Sequence, residues 1–217
     1  MGRKLPGALA CALVVALACA AALASGGAGE QPVRVAAAVP QRPNVVVILT
    51  DDMRADELRY LPKTNRLLVD QGVRFRNAIS PHPLCCPARA GLFTGQYAQN
   101  NGVQHNSGPW GGAQALADRD ANIGAWLTDA GYRTAYHGKF LNGWNRAQWL
   151  PRGWAEWDAL VSGIHSYWRG TFYGGDSFED RYVAGVMTRR SLRTIGRFQA
   201  QGLPFFSIVN HLSLIHI

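Results

Sequence analysis

Runs of apolar residues in the chain follow two periods, one typical of strands and one typical of helices. Residues 44–50 form a continuous β-branched run, which indicates a strand buried on both faces of a parallel sheet. Residues 204–210 predict a second buried strand. Alternation of apolar and polar residues predicts two further strands, at 73–79 and 132–137.

Helical spacing predicts four helices between and around these strands. They cover residues 61–72, Cys85 to about Gly95, 121–130 and 181–202, and Asp180 is the predicted N-cap of the last. Because strands alternate with helices, the pattern indicates the α/β class. Residues 97–112 have no period and predict a loop, in which we interpret His105 as a structural or surface residue rather than a substrate contact.

The N-terminal segment has the composition of a secretory signal. Arg3 and Lys4 precede an apolar stretch at residues 9–23, and Ala22-Leu23-Ala24 offers a small-residue cleavage site. We therefore predict a signal peptide at 1–24 and a Gly/Ala/Pro-rich linker at 25–42, with a secreted or extracytoplasmic mature protein. The alternatives are an uncleaved anchor, for which the apolar run is short, and a lipoprotein anchor on Cys19, which lacks a good match before it.

Composition and charge argue against nucleic-acid binding and against a stable membrane partner. The chain has 217 residues, of which 47% are hydrophobic and 17% are charged, as in an ordinary globular protein. Its formal net charge is +8, but no long Lys/Arg run and no zinc-type cysteine pair is present. Nucleic-acid binding therefore lacks motif support, and no stable membrane partner is expected. The positive charge is compatible with attraction of an acidic substrate.

Two adjacent carboxylates, Asp51 and Asp52, directly follow the first buried strand. Ligands of open α/β sheets bind at the carboxyl ends of the strands. Two neighbouring carboxylates repel each other unless a cation lies between them, and their oxygens suit Ca²⁺ or Mg²⁺. Taken alone, the pair is better explained as a solvated acidic turn.

The run Cys85-Cys86-Pro87-Ala88-Arg89 begins the second predicted helix. Pro87 is tolerated in a first helical turn, and Arg89 lies one turn after Cys85 on the same face. The helix N-terminus and this cation favour an anion at residue 85. A disulfide between adjacent residues is sterically poor, so the other interpretation is two small buried cysteines before a packed helix.

Several of these runs resemble motifs of the sulfatase family. Residues 85–95 resemble its signature C-x-P-x-R with a Thr-Gly ending. The spacing to Pro87 makes Cys85, and not Cys86, the signature cysteine. Ala88 stands where many members of the family have serine. Residues 72–78 and 131–139 resemble the runs "G-V-R-F-x-N-A" and "G-Y-x-T-x-x-x-G-K". Leu141 occupies a position where many arylsulfatases have histidine. The form G-K-F-L-N, like Cys-Cys-Pro, looks more like the glucosamine-6-sulfatase and heparan-endosulfatase branch.

The resemblance covers residues 43–211 and implies an alkaline-phosphatase-like α/β fold, with a mixed, mostly parallel sheet flanked by helices. It implies that a formylglycine-generating enzyme oxidises Cys85 to formylglycine, whose hydrate attacks sulfur and then helps to expel sulfate. A divalent metal, Ca²⁺ or else Mg²⁺, would be held by Asp51, Asp52 and modified Cys85. Arg89 would stabilise the ionised hydrate and Lys139 would hold the sulfate. The implied substrate is a sulfated small molecule or glycan.

Three other functions stay open at this point. They are a phosphate or phosphonate monoester hydrolase of the same superfamily, a non-catalytic secreted module that binds polyanions, and a thiol-redox protein. The aromatic-rich residues 143–178 could form a carbohydrate-stacking wall, although packing in a core is the favoured interpretation.

Residues 212–217 do not resemble the proline- and histidine-containing loop of the family, so we expect a non-native tail on a gene fragment. On that expectation the chain by itself is poorly active. His211 and His216 receive no role. The later metal ligands, second lysine and sulfate-binding histidine of the family have no match in this chain.

Overall fold

The computed structural model describes residues 42–145, 149–161 and 166–212. The predicted signal peptide at 1–24 lies outside the described residues, as does the linker up to residue 41. Of the predicted tail only Leu212 is described, and it is buried. These domain boundaries stay predictions.

A four-stranded parallel sheet organises the described chain. Strand β1 spans Val45–Leu49, β2 spans Arg133–Gly138 and β3 spans Glu156–Ala159. A two-stranded antiparallel sheet follows, with β4 at Gly170–Thr171 and β5 at Ser177–Phe178. Strand β6, at Phe205–Asn210, returns to the first sheet, whose order is β1-β6-β2-β3. Leu49 and Gly138 both lie opposite Asn210, so the three strands end at one level.

Four helices lie between the strands. They are α1 at Cys85–Thr94, α2 at Ala98–Asn101, α3 at Ile123–Asp129 and α4 at Val183–Ala200. Asn122 begins α3 by accepting hydrogen bonds from the backbone N–H groups of Gly124 and Ala125, as an N-cap residue does. Further short helical segments, left unnumbered, occupy Ala55–Tyr60, Pro62–Thr64, Asn65–Val69 and Ala113–Ala115. This arrangement confirms the predicted α/β class.

The predicted burial of the first strand on both faces is wrong, because β1 lies at the edge of the sheet and its Val46 and Ile48 are 44% and 61% exposed. Hydrophobic clusters cover the two faces of the inner strands β2 and β6, since successive side chains of a strand point to opposite faces. Tyr136 and Ile208 belong to one cluster, which also holds Trp144 and Phe93. Val209 belongs to the other, with Met187 of α4. The aromatic-rich segment contributes Trp144, Trp154 and Trp157 to the first cluster, as the core interpretation predicted, whereas Trp168 is exposed.

The predicted strand at 73–79 is wrong. These residues form a turn and irregular chain with no strand partner among the described residues, and Phe75 remains 79% exposed. Alternation gives a segment two different faces, but a strand also needs a neighbour that accepts its hydrogen bonds. The predicted helix at 61–72 is instead two short segments, in which the Asp70 N–H bonds to the Asn65 carbonyl five residues back.

The N-cap assigned to Asp180 is also wrong. Helix α4 begins at Val183, and Tyr182 occupies the N-cap position without a side-chain capping bond. Asp180 has a φ of 53°, which is a left-handed turn conformation rather than an N-cap conformation. Within the described residues, none of the helices has the length and hydrophobicity that a membrane span requires.

Candidate active site

The carboxyl ends of β1 and β2 place three predicted site residues together. Asp51 and Asp52 follow β1, and Lys139 follows β2 with its backbone N–H bonded to the Asn210 carbonyl at 3.0 Å. Gly138, just before Lys139, has a φ of 93°, and a Cβ there would lie 2.1 Å from the Asn210 carbonyl oxygen. Only glycine fits this turn, which brings Lys139 back over the sheet edge.

Helix α1 presents Cys85 to this sheet edge as its first residue. The Cys85 Sγ atom lies 3.6 Å from Asp52 Oδ1 and 4.0 Å from Asp51 Oδ2. The Asn106 side-chain oxygen accepts a hydrogen bond of 2.8 Å from the Cys86 N–H and so satisfies one free donor of the helix start. Sequence reasoning missed Asn106, because it lies in the loop without a period and 20 residues away.

A buried ion pair connects the helix to the first strand. The Arg89 Nη2 atom lies 2.6 Å from Asp51 Oδ1, while Arg89 Nη1 donates to the Cys85 carbonyl at 2.9 Å. Lys139 Nζ contacts the other Asp51 oxygen. Burial alone would raise the pKa of the Asp51 carboxyl, but Arg89 and Lys139 outweigh it and hold that pKa below its usual value. Asp51 is therefore anionic at neutral pH.

The donor set of the site suits a metal ion. One ligand atom each from Asp51, Asp52 and Cys85 lies within 4.8 Å of the others. Two carboxylates suit a hard cation such as Ca²⁺ or Mg²⁺, whereas a thiol is a softer ligand. An oxygen-bearing residue at position 85 would complete a uniform oxygen set. The predicted metal and catalytic residues thus converge on one point of the fold.

A cavity of about 710 Å³ opens from this point. Its volume lies within the range of roughly 300–1,000 Å³ that is typical of small-molecule pockets. Asp51, Asp52 and Lys139 line it, together with polar, aromatic and cationic side chains that include Asn142, Trp144 and Arg169. The site can therefore accept a ligand much larger than an inorganic anion.

Cys86 points away from the site into the core and is fully buried. Burial raises the pKa of its thiol to about 11, so Cys86 is a poor nucleophile at neutral pH. Only Cys85 of the pair is partly accessible. The structure thus separates the two adjacent cysteines. His105 is exposed, as the surface interpretation predicted.

A second polar network, missed in the sequence, begins on β2 at His137, two residues before Lys139. The His137 Nδ1 atom is 3.2 Å from Asp158 Oδ2, and Arg190 of α4 contacts both Asp158 oxygens at 2.6 and 2.7 Å. His137 is on β2 and Asp158 on β3, so the network ties two strands to a helix. Burial opposes ionisation of Asp158, but His137 and Arg190 lower its pKa overall.

Comparisons with known proteins agree with this geometry. The family model described as Sulfatase matches residues 43–213. The chain is 41% identical over 130 residues to an extracellular sulfatase SULF-1 homolog of Drosophila melanogaster, covering 58% of this chain and 12% of that protein. It is 30% identical over 195 residues to the N-acetylglucosamine-6-sulfatase of Homo sapiens, covering 80% of this chain and 34% of that protein.

Solved structures share the fold. One, in complex with its substrate D-glucosamine-2-N,6-O-disulfate, has a TM-score of 0.64 at 23% identity and covers 78% of this chain and 34% of its own. Another, Ps i-CgsB in complex with a neocarrahexaose, has a TM-score of 0.66 at 20% identity and covers 82% and 46%. These matches confirm the alkaline-phosphatase-like fold class. The chain spans about a third or less of the two curated relatives.

Proposed function

The chain belongs to the sulfatase family, and from that premise we propose that it carries the nucleophile and first metal ligands of a sulfuric ester hydrolase. The observation that supports this proposal most is the convergence of Asp51, Asp52 and Cys85 within 4.8 Å. Arg89 and Lys139 bring two cations to the same point. Such a centre binds an anionic ester and stabilises the negative charge that develops when it is cleaved.

We propose a sulfated glycan as the substrate class, with release of inorganic sulfate. Two proteins similar to this chain support it: an N-acetylglucosamine-6-sulfatase and a protein whose substrate is D-glucosamine-2-N,6-O-disulfate. The cavity is large enough for a sugar, and its lining mixes aromatic and hydrogen-bonding side chains, as sugar recognition requires. A carbohydrate ring would lie in this cavity with its sulfate towards Lys139.

Cys85 is the proposed nucleophile position, after conversion to formylglycine by a formylglycine-generating enzyme. Formylglycine would supply two hydroxyls in its hydrated form, one to attack sulfur and one to drive release of sulfate. The helix N-terminus of α1 favours negative charge at residue 85. Arg89 fixes the first turn of α1 through the Cys85 carbonyl and adds positive charge below the nucleophile.

Asp51, Asp52 and residue 85 would hold the metal, for which Ca²⁺ is the proposed ion and Mg²⁺ the alternative. The ion would supply positive charge that polarises the sulfate oxygens. Among the described residues no cation pairs with Asp52, so its charge is available to a metal. Lys139 lines the cavity and its flexible ammonium can hold a sulfate oxygen.

Secretion is the proposed location. It rests on the sequence pattern of residues 1–24 and on the relatives named as extracellular sulfatases. A secreted protein would meet both the sulfated glycans of the cell exterior and millimolar calcium, which fits a hard-ion site.

The test combines the chemical state of residue 85 with turnover. The protein carrying this chain is made together with a formylglycine-generating enzyme, and peptide mass spectrometry identifies residue 85. Release of sulfate from glucosamine-6-sulfate is then measured beside release of phosphate from glucosamine-6-phosphate. We expect an aldehyde at 85, preference for the sulfate ester, loss of turnover in Cys85→Ser and near-normal turnover in the matched control Cys86→Ala.

Three outcomes of this experiment would contradict the proposed sulfatase activity. An active protein with an unmodified thiol at residue 85, or normal steady-state turnover by Cys85→Ser, contradicts the proposed chemistry. Faster cleavage of the phosphate ester identifies a phosphomonoesterase of the same fold instead.

A further inference from the structure

The cavity at the site contains two cationic side chains whose surroundings differ. Lys139 contacts Asp51 and belongs to the reaction centre. Arg169 lines the same cavity, but within the described part of the chain its guanidinium has no carboxylate or carbonyl partner. The side chain is exposed to the cavity and solvent rather than packed in the core. Arg169 has no role in the proposed cleavage of the sulfate ester.

The backbone around Arg169 is held on both sides. The Tyr167 carbonyl accepts a hydrogen bond of 2.8 Å from the backbone N–H of Val183. The Trp168 carbonyl accepts one of 3.2 Å from the backbone N–H of Arg181. Gly170 follows at once in β4 and pairs with Phe178 of β5. Arg169 is therefore presented from an ordered position next to a small sheet, so only its side-chain rotamers are free.

The chemistry of a guanidinium defines what it can bind. Its planar fork matches a carboxylate or a sulfate in two parallel hydrogen bonds, and it stays protonated at every physiological pH. A partly enclosed cavity strengthens such a contact relative to open solvent. Ser166 and Thr171 also line the cavity near this position and offer hydroxyl groups to a sugar.

We propose that Arg169 is a specificity-determining residue that binds a second anionic group of the substrate, while the ester to be cleaved lies at Lys139. The inference rests on the proposed function, because it takes the sulfate ester to bind at Lys139. It narrows the substrate class to sulfated sugars that carry another sulfate or a carboxylate. The competing explanation is an ordinary solvated arginine, which would not distinguish one anion from two.

Equilibrium binding tests the inference independently of turnover. Calorimetry in calcium buffer uses the full protein made without the formylglycine-generating enzyme, so that residue 85 stays a thiol and the sugars are not cleaved. It measures the affinity for glucosamine-6-sulfate, for glucosamine-2-N,6-O-disulfate and for a 6-sulfated glucosamine linked to glucuronic acid. The second and third sugars separate a sulfate partner from a carboxylate partner. The variants are Arg169→Gln, Arg169→Lys and the control Arg193→Gln, an exposed arginine of α4 outside the cavity lining.

We expect the unchanged protein to bind at least one doubly charged sugar about tenfold or more tightly than the monosulfated one, which corresponds to about 1.4 kcal/mol. Arg169→Gln should abolish this preference and leave the affinity for the monosulfated sugar within about twofold. Arg169→Lys should retain part of the preference, because lysine keeps the positive charge but cannot donate two parallel hydrogen bonds as the guanidinium does. Arg193→Gln should retain all of it.

Equal affinity for all three sugars, absence of binding, or an equal loss of preference in Arg193→Gln overturns the inference. Sulfate release from glucosamine-6-sulfate is followed in parallel with the same variants made together with the formylglycine-generating enzyme. Binding preference without sulfate release contradicts the proposed function alone, whereas sulfate release without binding preference contradicts the role of Arg169 alone.

Discussion

Replacing Arg89 by methionine tests the buried ion pair that joins helix α1 to strand β1. Methionine keeps much of the side-chain length but removes the charge and the two hydrogen bonds to Asp51 and the Cys85 carbonyl. The Arg89 and Asp51 side chains are only 3% and 4% exposed, so the remaining carboxylate cannot regain full hydration. We expect a large loss of stability.

The magnitude follows from the partners that remain. Removal of one member of a buried pair costs about 3–5 kcal/mol, since it leaves an uncompensated charge. Lys139 still contacts Asp51, which places the loss at the lower end, about 3 kcal/mol. In the double variant Arg89→Met/Asp51→Asn neither charge of the Arg89–Asp51 pair remains, and only Lys139, which lines the cavity, loses a partner. The cost of the double variant should therefore be below the sum of the single costs by about 1–3 kcal/mol.

Urea unfolding followed by tryptophan fluorescence measures these differences. The four proteins of the cycle are compared at neutral pH with a chelator, so that metal binding does not contribute. Arg193→Met serves as the matched control, because an exposed substitution usually changes stability by less than about 0.5 kcal/mol. Additive single effects, within about 0.5 kcal/mol, would refute the coupling between Arg89 and Asp51.

Two further predictions concern the thiols and the metal. Iodoacetamide at mildly alkaline pH should label Cys85 of the unmodified folded protein and spare Cys86 until unfolding, because burial raises the pKa of Cys86 to about 11; equal labelling rates by peptide mass spectrometry would contradict this. Calorimetric titration with Ca²⁺ should show at least tenfold weaker binding by Asp52→Asn, and unchanged binding by the exposed control Asp129→Asn; equal affinities of Asp52→Asn and the parent would remove Asp52 from the metal site.

The predictions that succeeded rest on patterns that are local in the chain. The β-branched run before Asp51 correctly indicated a strand of a parallel sheet, although not one buried on both faces, and the strands of such a sheet end at one edge. The helical spacing likewise placed Arg89 on the face of Cys85, and in the structure Arg89 Nη1 donates to the Cys85 backbone carbonyl at 2.9 Å. The position of the candidate site could therefore be inferred from the sequence.

The predictions that failed depended on partners distant in the chain. Alternation at 73–79 looked like a strand, but hydrogen-bond partners decide whether a strand forms. Asn106 and the His137–Asp158–Arg190 network were missed because their contacts join segments 20 or more residues apart. No period or spacing within one segment indicates such a pair.

The proposed reaction centre lies at the parallel sheet, whereas the proposed anion contact of Arg169 lies at the two-stranded sheet. The parallel sheet carries Asp51 and Lys139 at strand ends, where register is set by three neighbouring strands. Arg169 precedes the separate hairpin of β4 and β5, whose strands are two residues each. A library confined to the cavity-lining positions Arg169 and Thr171, with the buried Phe172 and Phe178 kept in place against Val209 of β6, would therefore leave the parallel register untouched. Protein engineers could then vary the proposed ligand contacts while the proposed reaction centre at Asp51 and Lys139 stays unchanged.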